Sequence, residues 1–518
     1  MNVLPGHDWS RTVGLAAKDS RCGLSRLVLC LLAGLGVTGS ALMAATAGRL
    51  ALRPGVVAPS RWYGLLDPVP LDRPSLVPAV MLGGVALLAA SWWGLCRHAA
   101  RGSVSVRGVA AIVAAWAVPV ILGPPILSLD VYSYTAQGVM LAAGLDPYTA
   151  GPVALGAHPA VLAVDPVWRS ATAPYGPVAL AFLRATTWLA SGDLLRAVLI
   201  QRAVAVFGVA AIAVCVARIA PVDRRPWAVA ACAGSPIVLL QLIGAVHLEA
   251  LMMALGAAGL AAAARGRGVL GLVLTTTAAL VKWPAVLIVV VMVAGRTITA
   301  MDTAGVPGPR AAPIRRRAVV GAVAAGRDLT VVATTTVLLS ALVPHGFGWL
   351  HTVGTPSAGL TLYAPTTGLA DLLSAMSGMD GSAVPFTDLL GLVRAAGVVA
   401  ATGVFIWLLA TIRDRDVPAT AGLALLCLAL LGPVLYPWYF AWGLVPLAMA
   451  EDTRRRRFTA VTVVGSFLAL PHCELLFVNH PQVAPWLARQ GPLILVIALI
   501  CATAASVARH RRSFADAG

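Results

Sequence analysis

The chain has 518 residues, 59% of them hydrophobic and 11% charged, with a formal net charge of +17. Apolar runs near 20 residues recur along its whole length, which is what a helix needs to cross a hydrocarbon core about 30 Å thick; the composition therefore predicts an all-α, polytopic integral membrane protein and excludes a water-soluble fold. In such a chain arginines gathered in cytoplasmic loops account for the positive balance, so nucleic acid is not expected as a partner.

Taking apolar runs as helices and basic clusters as cytoplasmic markers predicts about fourteen spans, within a range of about 12 to 14. They fall at 24–47, 76–97, 107–127, 196–218, 227–245, 248–264, 268–281, 284–296, 328–344, 390–411, 417–434, 437–450, 457–476 and 490–508. The first, with Arg11, Lys18 and Arg21 before it and Arg26 at its start, reads as a retained signal-anchor rather than a cleaved leader. Both termini are then cytoplasmic, and most lysines and arginines lie on that side. Residues 1–518 form one transmembrane domain: a two-helix extension over 1–107, a core over 108–480 that holds the candidate catalytic residues, and a last span with a basic tail over 481–518.

Two stretches need a decision. The apolar run 175–190 would put Arg218, Arg224 and Arg225 outside if it crossed, so it is expected to lie in the interface as a helix carrying Arg184, within an outer loop over 128–195. The run 269–295 has arginines at both ends (Arg265 and Arg267 before it, Arg296 after it), so it is expected to be a hairpin with Lys282-Trp283-Pro284 at its tip. A lysine at mid-bilayer costs about 2.5–3.5 kcal/mol, and a tip at the outer interface or in a polar cavity avoids most of that.

The eight cysteines are scattered without metal-ligand spacing, and no nucleotide-binding or metal-dependent motif occurs, so no metal or other cofactor is expected. Asp130 stands at the outer mouth of the third span. A carboxylate there either ends a helix in solvent or acts as general base toward a hydroxyl. Tyr132, Tyr134 and Tyr148 are either interfacial belt residues or stacking platforms for a sugar, and Asp146, in Gly144-Leu-Asp-Pro-Tyr148, either closes a turn or binds a hydroxyl. His247 and Glu249 occupy a second outer turn, where ionisable groups mark a substrate path or a paired network. Lys282, the sole lysine beyond residue 18, suits a phosphate or snorkels; Arg202, at the outer end of the fourth span, is a candidate to join it. Tyr436, Trp438 and their neighbours form an aromatic cluster at a proline break, and His472 with Glu474 are candidates for the same cavity.

These motifs resemble the polyprenol-phosphomannose-dependent alpha-1,6-mannosyltransferases of actinobacteria, within the GT-C class of membrane glycosyltransferases. The resemblance covers roughly 110 to 480. It rests on Asp130-Val-Tyr-Ser-Tyr-Thr-Ala-Gln-Gly138, Gly144 to Tyr148, Pro174-Tyr-Gly-Pro177, Gly244-Ala-Val-His-Leu-Glu249, Lys282 and Tyr436-Pro-Trp-Tyr439. It implies inverting transfer of mannose from polyprenyl phosphomannose to the 6-hydroxyl of an alpha-1,6-mannan, building a lipomannan backbone on the outer face of the cell membrane. In that reading Asp130 is the catalytic aspartate. Lys282, Arg202, His247 and Glu249 meet the donor phosphate and lipid-linked sugar, while Tyr132, Tyr134, Gln137, Asp146, Tyr148, Tyr175, Tyr436 and Trp438 bind sugar. The chain departs from relatives at Leu248, where they tend to carry Asn, and at Ser235 before Pro236. Transfer of another polyprenyl-linked sugar, such as arabinofuranose or glucose, is the near alternative. A flippase for a lipid-linked sugar is the distant one.

Overall fold

The computed structural model describes residues 26–46, 76–304, 314–355, 359, 361, 364–379 and 384–468. These are helical, with no strand among the described residues. In chain order the helices are α1 (Arg26–Thr46), α2 (Leu76–Ala100), α3 (Val106–Leu122), α4 (Asp130–Ala142), α5 (Pro159–Ala163), α6 (Pro177–Leu189), α7 (Leu194–Ile219), α8 (Arg225–Ala233) and, after a wide turn over Val238–Gly244, α9 (Glu249–Ala263). There follow α10 (Gly268–Val281), α11 (Val286–Thr303), α12 (Ile314–Ala341), α13 (Trp349–Thr352), α14 (Pro365–Met379), α15 (Phe386–Ala410), α16 (Val417–Leu431), α17 (Phe440–Met449) and α18 (Arg455–Phe467). A helix stands on each expected span from 24–47 to 457–476; the span 490–508, His472 and Glu474 lie outside the described residues. Six described helices are long and apolar enough to cross a membrane, or seven if the bent pair Val222–Ala233 and Val238–Gly244 is one span. The chain is an all-α polytopic membrane protein. The expected fourteen crossings exceed this number because several expected spans, α3, α9, α10 and α16 among them, are shorter apolar helices.

Glycine contacts show how α10 and α11 run. Gly268, at the start of α10, lies against the guanidinium of Arg296 late in α11, and an added Cβ at Gly271 would sit 3.0 Å from Met292 Cε. The two helices are therefore antiparallel, and Lys282 is the apex between them. Since α10 rises about 21 Å over its length, Arg265 and Arg267 stand at the far end from Lys282. A charged apex forms there because Lys282 adopts an extended backbone and Pro284 cannot continue the helix.

The segment 128–195 is more helical than a loop. At 13 residues each, α4 and α6 are about 20 Å long and fall short of the hydrocarbon core. They pack closely at Gly138, where an added Cβ would stand 2.5 Å from the Leu183 carbonyl oxygen. The buried face of α6 carries Ala179, Leu180, Leu183 and Thr187, whereas Arg184, Trp188 and Leu189 are exposed. Gly144, at φ +76, ends α4 while Leu145 N–H donates back to the Met140 carbonyl. In sequence this helix was hidden because its polar start looked like a loop.

Charge misplaced one boundary. Asp328 marked the start of a span, yet α12 begins at Ile314 and carries Asp328 fully buried, because Arg296 Nε and Nη2 hold its carboxylate at 2.6 and 3.0 Å. A paired carboxylate can sit inside a helix bundle where an unpaired one cannot. The stretch between the expected spans 328–344 and 390–411 contains α13 and α14.

Candidate functional site

Asp130 is set by the backbone that leads to it. Gly123-Pro124-Pro125 terminates α3, Ile126 N–H donates to the Gly244 carbonyl, and Leu127 takes φ +64, a conformation a branched side chain rarely adopts. Ser128 Oγ then accepts from Asp130 N–H at 3.1 Å, and α4 starts. A second strained residue, Val246 at φ +61, immediately precedes His247. Such backbone persists only where surrounding contacts impose it, and here both instances flank the same cluster.

Arg202 supplies part of that constraint. It is buried on α7 and donates to the Ile121 carbonyl at 3.0 Å, to the Gly123 carbonyl, and to the Gly244 carbonyl at 3.3 Å. The structure thus turns Arg202 to backbone and away from the cavity, correcting the expectation that it joins Lys282 on a phosphate. Its fork of donors ties the end of α3 to the turn before α9.

Around Asp130 the side chains converge. Tyr134, one turn along α4, donates to Oδ2 at 3.4 Å, and His247 Nε2 lies 3.7 Å from the same oxygen. The His247 ring stacks on Trp438 with centroids 3.9 Å apart, and Trp438 stacks on Tyr436 at 4.7 Å. Burial pushes the Asp130 carboxyl up to about 6, with Lys282 pulling the other way, and the same burial takes His247 down to about 4. Asp130 is thus an ionised carboxylate near neutrality with more proton affinity than a solvated one, and His247 is neutral.

Lys282 sits opposite. Its Nζ pairs with Glu249 Oε1 at 2.5 Å and is enclosed by the rings of Tyr439, Tyr175 and Trp442, at 5.2, 5.5 and 5.7 Å from their centroids. The Pro174-Tyr-Gly-Pro177 turn is pressed onto this apex: Gly176 N–H donates to the Val281 carbonyl at 3.1 Å, and a Cβ at Gly176 would strike the Leu280 carbonyl. Only glycine allows that approach.

Two cavities meet at Lys282. One is polar and bounded by Asp130, Ser133, Gln137, Tyr175, Tyr436 and Trp438, with Trp168, Thr172 and Thr355 closing it. The other is an apolar cavity of about 480 Å³ between α10, α11, α12, α15 and α16, lined by residues such as Leu280, Val289, Val332, Val398 and Leu428. Pro174, Lys282 and Tyr439 belong to both.

Of the sequence candidates, the structure gathers Asp130, Tyr134, Gln137, Tyr175, His247, Glu249, Lys282, Tyr436 and Trp438. Tyr132 is buried and does not line the polar cavity. Asp146 caps its own turn by accepting from Tyr148 N–H at 2.9 Å, and lies 3.4 Å from His345. Tyr148 packs on Gly348, and neither Asp146 nor Tyr148 lines the cavity at Asp130. Sequence reasoning counted Tyr439 and Trp442 only as neighbours in an aromatic cluster at a proline break, and passed over Ser133, Thr172 and Thr355. The spacing of Tyr439 and Trp442, three apart at the start of a helix, was the available signal for a shared face. The threonines and serine carry none.

Comparison with known proteins gives a consistent result. Residues 33–297 match the family model described as Alpha-(1->6)-mannopyranosyltransferase, N-terminal domain, and residues 366–507 match that of the MptB C-terminal domain. The chain is 30% identical over 388 residues to alpha-(1->6)-mannopyranosyltransferase A of Mycobacterium tuberculosis, covering 74% of this chain and 72% of the relative. It is 31% identical over 465 residues to a probable alpha-(1->6)-mannopyranosyltransferase of Mycolicibacterium smegmatis, covering 83% and 81%. Against alpha-(1->6)-mannopyranosyltransferase B of Corynebacterium glutamicum the identity is 29%, covering 71% of this chain and 63% of the relative. No solved structure matches.

Proposed function

The chain belongs to the alpha-(1->6)-mannopyranosyltransferase family of glycosyltransferases, and from that premise we propose that it moves mannose from polyprenyl phosphomannose to the 6-hydroxyl of an alpha-1,6-mannan on the outer face of the membrane. The observation that carries this reading is the place of Lys282 at the junction of the two cavities. A lipid-phosphate-sugar has the same order of parts: an apolar tail for the apolar cavity, one phosphate for the ammonium, and a sugar for the chamber that holds Asp130.

In the proposed reaction Asp130 takes the proton of the acceptor hydroxyl as its oxygen attacks the anomeric carbon from the face opposite the phosphate. The sugar–phosphate bond breaks, its electron pair leaves with the polyprenyl phosphate, and a beta-linked donor yields an alpha product. Lys282 meets the charge that grows on the leaving phosphate, and the reading assigns no metal to that task. Tyr175, Tyr436 and Trp438 offer ring faces to the sugars, and confinement of the lipid to the bilayer reduces the entropy lost on binding. The chamber at Asp130 has only about 70 Å³ of open space, room for a few waters. A sugar therefore needs the lining of this chamber to move apart.

The test is transfer from radiolabelled polyprenyl phosphomannose to a short alpha-1,6-mannoside in membranes, with wild type and Asp130→Asn at matched protein levels. Product is expected from the first, and from the second at least about 10²-fold less. Near-normal turnover by the variant removes Asp130 as the base. Failure of the wild type with this donor but success with another polyprenyl-linked sugar reassigns the donor, and lipid-linked sugar crossing vesicles without product would favour a flippase.

A further inference from the structure

Resting on the reading of Asp130 as the base, we propose that His247 is a positioning residue whose Nε2 lone pair accepts a hydrogen bond from the Asp130 carboxyl group only when that group is protonated, as it becomes on taking the acceptor's proton. Nδ1 of His247 lies 2.8 Å from the Gln241 carbonyl oxygen. That oxygen has no hydrogen to give, so Nδ1 carries the ring's proton and Nε2 of the neutral ring is a bare acceptor. Nε2 is buried without a hydrogen-bond partner and faces Asp130 Oδ2 from 3.7 Å. The stack on Trp438 fixes the plane of the ring, and strained Val246 fixes the backbone that carries it.

A carboxylate has nothing to donate to that lone pair, whereas a carboxylic acid does. As the acceptor's O–H bond breaks, an O–H bond forms on Asp130, and the acceptor oxygen's electron pair makes the new bond to the anomeric carbon. Rotation about the soft Cβ–Cγ torsion of Asp130 turns the new hydrogen toward Nε2. The contact closes only when Asp130 carries a proton, so it strengthens as the acceptor's proton is transferred, and by stabilising the protonated carboxyl it makes Asp130 a stronger base. Other titratable groups face the pair: Tyr134 on α4, Asp165 and Tyr175 ahead of α6, Glu249 on α9, Lys282 at the hairpin apex, and Tyr436 and Tyr439 ahead of α17. Glu249 and Lys282 compensate each other as an ion pair.

The experiment is the pH dependence of kcat/KM for the full-length protein in detergent, with polyprenyl phosphomannose and a short alpha-1,6-mannoside. Wild type, His247→Asn, His247→Gln and Asp130→Asn are compared. Asn retains an N–H for the Gln241 carbonyl but lacks any atom at Nε2. Its acid limb is expected about one pH unit lower, with the plateau reduced about tenfold. Gln reaches the Nε2 position with an acceptor oxygen and should return the limb to within about half a unit of wild type. An unmoved limb in the Asn variant makes His247 a packing residue and overturns the inference; an upward shift makes the ring an imidazolium and overturns it too. If the Asn variant does not accumulate, the Gln variant decides, a displaced limb counting against the proposal. Normal turnover by Asp130→Asn would instead remove the base reading on which all of this stands.

Discussion

Charge removal at position 282 separates a structural role of the lysine from a role in transfer. The Glu249 side chain is fully buried and its Oε1 has Lys282 as a 2.5 Å partner, so Lys282→Met strands a carboxylate. Breaking a buried pair from one side costs about 3–5 kcal/mol. Glu249→Gln strands the ammonium instead, but the three rings around it soften the loss, each such contact contributing about 0.5–2 kcal/mol, and a smaller destabilisation is expected. Removing both charges together leaves nothing unpaired, so the double variant should be more stable than Lys282→Met alone. Transfer should not recover with stability. Losing one preorganised group that stabilises developing charge costs about 2.7–4 kcal/mol, or 10² to 10³ in kcat. The measurements are apparent Tm in detergent and initial rates with labelled donor for the two single variants and the double. A double variant that is stable and transfers at the wild-type rate refutes the phosphate role, and a Lys282→Met protein as stable as wild type refutes the energetic weight given to the Glu249 pair.

Only ionised Asp130 can act as base, and its carboxyl is raised to about 6; kcat/KM should therefore fall about tenfold per unit below pH about 6 and level off above it, as a rate profile would record. Gly176→Ala drives a methyl into the Leu280 carbonyl at the hairpin apex; a loss of about 1–3 kcal/mol and a raised donor KM are expected, visible in thermal melts and donor titrations. Preincubation with EDTA should leave the transfer rate unchanged, and a loss restored by added divalent cation would show that Lys282 does not meet the phosphate alone.

The parts of the molecule that sequence made legible were those where two independent constraints met. The α10–α11 hairpin was readable because arginines at both ends of one apolar run cannot both face the cytoplasm after a single crossing, and Lys282, followed by Trp283 and Pro284, marked the place for a turn. The same parity argument kept 175–190 out of the expected spans, and α6, at 13 residues, is short of a crossing. What stayed hidden was every case in which a charge is answered by a distant residue. Arg296, which holds the Asp328 carboxylate more closely than the adjacent Arg327 does, lies 32 positions away. Arg202 looked like an anion ligand because one sequence cannot say whether a guanidinium in a bundle meets a phosphate or backbone carbonyls. It meets three of the latter.

That use of Arg202 explains how Asp130, the proposed base, is held in place on a chain that arrives through two prolines. The carbonyls of Ile121 and Gly123 at the end of α3, and of Gly244 at the end of the wide turn, are left over where helices break. One buried guanidinium collects them, and Ile126 N–H adds its bond to Gly244. The two breaks are thereby joined back to back, with Asp130 issuing from one and His247 from the other. Their 3.7 Å separation is thus set by backbone contacts and by the stack on Trp438, none of which requires substrate. A site whose base and its neighbour are fixed in advance has less reorganisation to complete during transfer. On the proposed function Arg202 acts through position alone, and its loss should disturb Asp130 and His247 together while leaving the pairing of Lys282 with Glu249 in place.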